Sequence, residues 1–207
     1  MYIPEFNRVE DRRIALEFMR ANPFAILISP SERGPLATHL PLLVREMGDK
    51  LLLRGHFAKA NHHWSIIEQE QDSLTIFHGP HAYISPSLYE VRESVPTWNY
   101  ATVHVYGKGR VLKDGAEAER VLADLIAQFD PSYYARWQSF SEEYRDKMLR
   151  RIVAFEIEAT RVETKFKLGQ NRTKGEQDNL IQSLERSSDP AVSGVAALMR
   201  QQKLGSS

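Results

Sequence analysis

A run of polar and aromatic side chains at residues 55–64, GHFAKANHHW, holds the residue types that bind anions in proteins. The run crosses from a predicted strand end into a predicted helix start, where free backbone N–H groups favour negative charge. His56, Lys59 and Asn61 add side-chain donors, and this combination suits a phosphate. The same residues would also serve an ordinary helix start, with Asn61 as the cap, Lys59 in solvent and Trp64 in the core.

Four aromatic rings make up the second group of candidate residues, which is Tyr83, Tyr89, Trp98 and Tyr100. They are interleaved with small polar side chains, namely Ser85, Ser87, Thr97 and Asn99. Aromatic walls with a few aimed polar groups are typical of a site for a flat heteroaromatic ligand. A core edge with satisfied hydroxyl groups would have the same composition. Two further stretches, Thr38-His39-Leu40 and Lys167–Arg172, also carry more polar detail than packing requires.

The histidines raise the question of a metal site. His62 and His63 are adjacent, and neighbouring residues on a helix point about 100° apart. His78 and His81 flank a Gly-Pro pair that can bring them together. A catalytic zinc site needs three protein ligands and a structural one needs four. Because no third ligand stands at a telling spacing, we predict no metal site.

Composition narrows the class of protein. The chain has no cysteine, which excludes thiolate metal sites and cysteine nucleophiles. It also has no GxSxG motif of a serine hydrolase, so we assign no catalytic residues. Lysine plus arginine equals aspartate plus glutamate, at 27 each, so the chain lacks the overall charge of a nucleic-acid binder. No apolar run reaches the length of a membrane helix and the first residues form no apolar signal segment. We expect a soluble, cytoplasmic protein with no membrane partner.

The elements that must position these residues are mainly strands. Apolar patterns predict strands at 24–29, 36–44, 50–56, 73–78, 82–85, 100–112 and 153–168, with a break at Gly79-Pro80. Helices are predicted at 11–21, from near Lys59, from Asp114 to Asp130, within 139–151, and at 176–187 and 190–203. Gly107 and Gly109 inside a strand indicate a bulge or a close approach by another backbone or by a ligand. Strands without a βαβ rhythm favour an antiparallel barrel with peripheral helices.

Several motifs resemble the PaiB-type family of FMN-binding negative transcriptional regulators. They are MYIPEF (1–6), ATHLPLL (37–43), GHFAKANHHW (55–64), FHGPHAYISPSLY (77–89), VPTWNYATVHVYGKGR (95–110) and KLGQNR (167–172). The resemblance implies a mainly β (α+β) fold, the antiparallel split β-barrel of the FMN-binding type with peripheral helices and a helical C-terminal tail. Residues 1–174 would form the split-barrel domain. From the chain itself, residues 175–207 are predicted to form a helical tail that is either an appendage or an arm packing on a partner subunit.

The same resemblance implies non-covalent FMN at the interface of a homodimer. Thr38, His39 and Leu40 would line the isoalloxazine ring, and the turn of His56, Lys59 and Asn61 would hold the phosphate. Trp98, Asn99 and Tyr100 would cap the ring or reach it from the facing subunit, with Ser85 among the polar groups of that aromatic region.

Three functions follow as alternatives. The resemblance implies a negative transcriptional regulator with FMN as ligand or redox input. A flavin-dependent oxidoreductase is the second, in which His39, His56 and His104 are candidates because histidine titrates near neutrality. A haem-binding split barrel is the third, since related barrels bind haem through histidine. Direct contact with DNA would have to use one basic stretch, namely Lys165, Lys167, Arg172 and Lys174, which would otherwise simply face water.

Overall fold

The computed structural model describes residues 1–69, 71–91 and 93–205, with residues 203–205 described by their backbone alone. Within these residues the chain forms seven strands, seven α-helices and two short 3-10 helices. The strands are β1 (Phe24–Ser29), β2 (Leu36–Pro41), β3 (Leu43–Met47), β4 (Lys50–Ala58), β5 (Asp72–Ile84), β6 (Thr97–Val111) and β7 (Ile152–Lys167). The α-helices are α1 (Arg12–Ala21), α2 (His63–Ile67), α3 (Gly115–Phe129), α4 (Pro131–Gln138), α5 (Glu142–Leu149), α6 (Lys174–Glu185) and α7 (Pro190–Gly205). The 3-10 helices cover Glu5–Asn7 and Pro86–Leu88.

The strands form one sheet in the order β2-β1-β5-β6-β7-β4-β3. The pairs β1–β2, β1–β5, β3–β4 and β4–β7 are antiparallel, as predicted. The prediction of one strand over residues 36–44 is wrong, because the chain divides at Leu42 into β2 and β3 at opposite edges of the sheet. Leu42 is fully buried and its N–H donates to the carbonyl of Pro23 instead of to a strand partner. Pro41 lies on an edge strand, where its missing N–H costs no ladder bond.

The chain divides into two compact units. The central unit comprises Met19–Phe77 and His104–Val162, and the terminal unit comprises Met1–Phe18, His78–Val103 and the chain from Glu163 onwards. In the central unit, the rings of Phe57 and Phe155 stack in the core with their centroids 4.5 Å apart.

The tail helices belong to the terminal unit. Leu180 and Ile181 of α6 and Val195 of α7 are buried. Thr173 and Glu176 form a reciprocal capping box at the start of α6, and the carboxylate of Glu176 also accepts from the N–H of Glu90. The predicted packing of this tail on a partner subunit stays a prediction.

Two glycines in the strands are required by close contacts. β5 runs through Gly79-Pro80 without the predicted break, because a Cβ at Gly79 would lie 2.5 Å from the ring of Phe18, and glycine there makes room for that ring. A Cβ at Gly107 would lie 2.3 Å from the carbonyl oxygen of Glu158, which confirms the predicted close approach of backbone.

The start of β6 and the helix that follows α3 also differ from the prediction. β6 begins at Thr97, so the aromatic segment lies inside the strand and not before it. α4 was not predicted, although Asp130 caps it and Pro131 stands at its first position.

Candidate functional site

A turn between β4 and α2 carries the predicted phosphate-binding residues of the central unit. The helix begins at His63, not near Lys59, because residues 59–62 turn first: the N–H of Asn61 donates to the carbonyl of Ala58. The side-chain oxygen of Asn61 then accepts from the N–H of His63 at 3.1 Å. The indole N–H of Trp64 donates to the carbonyl of Lys59 at 3.1 Å and closes the turn.

A buried chain of hydrogen bonds fixes this turn to the sheet. The amide of Asn61 donates to the hydroxyl of Thr38 at 3.3 Å, and that hydroxyl is 2.8 Å from Nδ1 of His63. On the other side of the ring, Nε2 of His63 is 2.9 Å from the hydroxyl of Ser29, which is 2.6 Å from the hydroxyl of Ser73. The structure therefore brings Thr38 and Asn61, both predicted site residues, into direct contact.

His63 is the centre of that chain, and its role was not predicted from the sequence. The residue is fully buried, and its ring stacks on Phe57 with centroids 5.2 Å apart. Burial lowers the pKa of His63 below its ordinary value of 6.5, so the ring is neutral at neutral pH. Both ring nitrogens have partners, so His63 would have to break a hydrogen bond to ligate a metal or a haem. Its spacing of four from buried Ile67 was the one sequence signal that it faces inward.

The groups that remain accessible at the turn are side chains. The prediction of free backbone N–H groups is wrong at three positions, because the N–H groups of Lys59, Asn61 and His63 donate to Arg151, Ala58 and the side chain of Asn61. The Lys59 side chain is exposed and so is His39 on the edge strand β2, whereas Leu40 is buried. Of the three predicted phosphate-binding residues, Lys59 is thus the one with an exposed side chain.

His56 on β4 carries an unusual polar atom. Its Nδ1 is buried and has no hydrogen-bond partner within the described residues. Burial lowers the pKa of His56, which disfavours the charged form. A buried polar atom without a partner costs free energy in the folded protein, and a bound ligand or ion can supply the missing partner.

Glu156 of β7 is the buried acid of the central unit. It pairs with Arg54 and with Arg110, whose Nη2 is 3.1 Å from the carboxylate. The carboxylate is thus fully committed to two cations, and we assign it a structural role.

The aromatic cluster lies in the terminal unit, where the structure separates it into two pairs. Trp98 packs against Tyr83 at 6.0 Å and His81 at 6.1 Å between ring centroids, and the His81 ring is within 3.2 Å of Nε2 of His78. Trp98 and Tyr83 are 53% and 52% exposed, so this pair is a surface feature. Ser85 caps the short helix after β5 by accepting from the N–H of Ser87.

The second pair, Tyr89 and Tyr100, lines a cavity of about 380 Å³ in the terminal unit. Asn99 lines the same cavity, so two of the predicted site residues meet there. The remaining lining residues are Tyr2, Pro4, Phe6, Asn7, Val95, Pro96, Thr97, Lys165, Lys167, Gly169, Asn171 and Arg172.

The basic stretch expected on the surface is largely part of this cavity. Lys165 is 7% exposed, so neither a DNA-facing nor a solvated position describes it. In the described ranges no group of three histidine, cysteine, aspartate or glutamate side chains is arranged to hold a metal ion. None of the helices in those ranges is both long and apolar enough to cross a membrane.

The amino-acid sequence matches a known family and a curated relative. The family described as "Putative FMN-binding domain" matches residues 1–161. The "Protease synthase and sporulation protein PAI 2" of Bacillus subtilis is 35% identical over 201 residues, which is 96% of each chain.

Two solved structures share the fold at 14% identity. The flavocytochrome Anf3 from Azotobacter vinelandii has a TM-score of 0.61 over 80% of this chain and 72% of its own. The FAD and haem binding protein from Mycobacterium smegmatis has a TM-score of 0.62 over 83% of this chain and 78% of its own. These likenesses confirm the predicted split-barrel fold class. By its sequence match and its relative in Bacillus subtilis, the chain belongs to the PaiB-type FMN-binding family.

Proposed function

We propose that the protein binds FMN non-covalently as a homodimer, with the flavin phosphate at the β4–α2 turn and the flavin ring against exposed aromatic side chains. The observation that carries this proposal is the hydrogen-bonded turn, in which Asn61, Thr38 and His63 hold the backbone that presents Lys59 to solvent. The exposed Lys59 ammonium at such a fixed turn suits a phosphate monoester, to which it can donate a charge-assisted hydrogen bond.

The residues present fit FMN at both of its ends. Lys59 supplies the cation, and His56 supplies a buried ring nitrogen that lacks a partner within the described chain. Asn61 and Thr38 already bond to each other, so their part is to position the turn and not to bind the phosphate. At the ring end, Trp98 and Tyr83 are each about half exposed, and exposed aromatic pairs commonly mark a ligand or protein interface.

The protein's contribution would be to bind and orient the flavin. Bound FMN would supply electron or hydride transfer at its ring. In a homodimer the exposed Trp98 of one subunit would face the flavin held by the other, which gives Trp98 a role despite its exposure.

FMN titration of the purified protein tests this placement, followed by flavin fluorescence. We expect saturable binding that Lys59→Gln weakens by about ten- to a hundredfold, since a charged hydrogen bond to phosphate contributes about 1.5–3 kcal/mol. Lys108→Gln removes an exposed lysine on β6 and should leave binding unchanged. Trp98→Ala should weaken binding while the thermal midpoint stays within a few degrees, because its ring is half exposed. Equal affinity of the wild type and Lys59→Gln would reject the turn as the phosphate site, and a monomer in sedimentation at micromolar concentration would reject the dimer.

The proposal extends to transcription. The relative in Bacillus subtilis carries the name "Protease synthase and sporulation protein PAI 2", and a negative transcriptional regulator in the cytoplasm, with flavin binding as its input, is consistent with that name. Transcripts that rise when the gene is deleted should fall again on complementation with the wild type or Lys108→Gln, but not with Lys59→Gln. An unchanged transcript profile after deletion would remove the regulatory part of the proposal and leave flavin binding intact.

A further inference from the structure

The cavity of the terminal unit has the charge of an anion site. Lys165, Lys167 and Arg172 all line it, and the lining residues, each within the described part of the chain, include no aspartate or glutamate. Burial chiefly, and the neighbouring Lys165 ammonium to a smaller extent, lower the pKa of Lys167. An anion in the cavity would offset the repulsion between these cations, and the folded chain offers no carboxylate in the lining to do so.

Two buried amides in the lining have polar atoms that lack partners. Asn7 and Asn99 are each 2% exposed. Oδ1 of Asn7 and Nδ2 of Asn99 make no hydrogen bond within the described residues. The oxygen and nitrogen of an asparagine amide can be exchanged by rotating the amide. Each of these two side chains therefore has one polar atom, oxygen or nitrogen, without a hydrogen-bond partner among the described residues. Buried side-chain amides of this kind are typical of a ligand site, where the ligand completes their bonds.

The cavity walls are aromatic, and the cations lie against them. The Lys165 ammonium is 5.3 Å from the centroid of the Tyr100 ring and donates to the carbonyl of Tyr2 at 3.0 Å. The Arg172 guanidinium stacks 3.7 Å from the centroid of the Tyr89 ring. Stacked guanidinium groups and tyrosine faces bind planar ligands well. A volume of about 380 Å³ is within the range of small-molecule sites.

We propose that this cavity is a second binding site, separate from the flavin site, for a small molecule that carries an anionic group on a flat aromatic body. Lys167 and Arg172 bind the anionic group, the side chains of Asn7 and Asn99 bond to polar atoms of the ligand, and Tyr89 and Tyr100 contact its ring. This site does not depend on the flavin proposal, because its lining includes none of the side chains proposed above to contact the flavin, namely Lys59, His56, Tyr83 and Trp98.

Calorimetric titration with 1-naphthyl phosphate tests the site, with 1-naphthol as the neutral analogue and inorganic phosphate as the anion without a ring. We expect saturable binding of 1-naphthyl phosphate and at least tenfold weaker binding of the other two compounds. Arg172→Gln and Lys167→Gln should each weaken it about tenfold, which corresponds to about 1.4 kcal/mol. Lys174→Gln removes an exposed lysine just past the cavity and should have no effect.

Competition with FMN shows whether the cavity and the flavin site are distinct. Binding of 1-naphthyl phosphate should persist in protein saturated with FMN and in Lys59→Gln, and Arg172→Gln should bind FMN normally. Displacement of the probe by FMN would overturn the proposal of a second site and place the flavin in this cavity. Absence of saturable probe binding by folded protein, or equal affinity of the wild type and both cavity variants, would overturn it as well.

Discussion

Protonation of the buried histidine at the centre of the β4–α2 turn should make the protein's stability depend on pH. The folded state holds His63 neutral because burial lowers its pKa below 6.5, whereas the unfolded chain protonates it near that value. As the pH falls below 6.5, the unfolded state therefore binds a proton that the folded state does not. The free energy of unfolding then decreases by about 1.4 kcal/mol per pH unit for this one group, until the pH reaches the lowered pKa of the folded state.

His63→Gln isolates that contribution. The variant loses the stacking on Phe57 and the bonds to Ser29 and Thr38, so it should be less stable by about 2–4 kcal/mol at neutral pH. Below pH 6.5 the difference from the wild type should shrink by up to about 1.4 kcal/mol per pH unit, because the variant has no proton to gain on unfolding.

Urea unfolding at several pH values between 5 and 8 measures the effect as a difference between two curves. Burial also lowers the pKa values of His56, His78 and His104, but these groups are present in both proteins and cancel from the difference. His62→Gln changes the exposed neighbouring histidine and is the matched control at neutral pH, where it should cost far less unfolding free energy than His63→Gln. A constant difference between the wild type and His63→Gln across this range would show that His63 does not titrate differently on folding, and the reasoning would be wrong.

Two further predictions concern the strands of the central unit. Gly107→Ala should cost about 3 kcal/mol or more of unfolding free energy, measured by urea titration. The added Cβ would lie 2.3 Å from the carbonyl oxygen of Glu158, which cannot move without its strand. The control variant Gly115→Ala places its Cβ in open space and should be neutral or stabilising by up to about 1 kcal/mol. Glu156→Gln should cost about 2–3 kcal/mol, since it leaves two arginines without their buried partner, whereas Glu158→Gln at an exposed pair should cost less than about 1 kcal/mol. Equal losses within either matched pair would contradict the packing or the charge argument.

The sequence predicts most of the elements, because their signals are local. β1 matches its predicted bounds and α1 begins one residue after its predicted start, since an apolar face and a stop at Asn22-Pro23 are visible in a few residues. The break at Leu42 was not predictable, because LPLLV is apolar throughout and only the exchange of strand partners divides it. Gly79 was misinterpreted as a break in the strand for a similar reason. Glycine is required there by the ring of Phe18, which is sixty-one positions away in the chain.

In the candidate sites too, residues with a local signal were predicted, and residues whose role depends on partners remote in the chain were missed. Thr38 and Asn61 were predicted by residue type, and the structure brings them together. The role of His63 was missed, because a buried histidine and a metal ligand look alike in sequence and its partner Ser29 is remote. The cavity is assembled from three separate stretches of chain, residues 2–7, 89–100 and 165–172, and only parts of the last two carry a polar signal strong enough to notice.

The basic stretch near the end of β7 bears on how such a protein would act on transcription. A surface that grips DNA needs cations that reach phosphates in solvent, and each one contributes about −0.9 to the slope of log affinity against log salt concentration. Of the four cations, Lys165 is buried, Lys167 and Arg172 are half-buried in the cavity lining, and Lys174 is exposed. Binding through this stretch should therefore give a slope near about −0.9 and not the value of about −3.6 expected from four exposed cations. A measured slope of the larger size would place DNA on these side chains and would require the cavity to open, which would contradict the assignment of Lys165, Lys167 and Arg172 to the cavity lining.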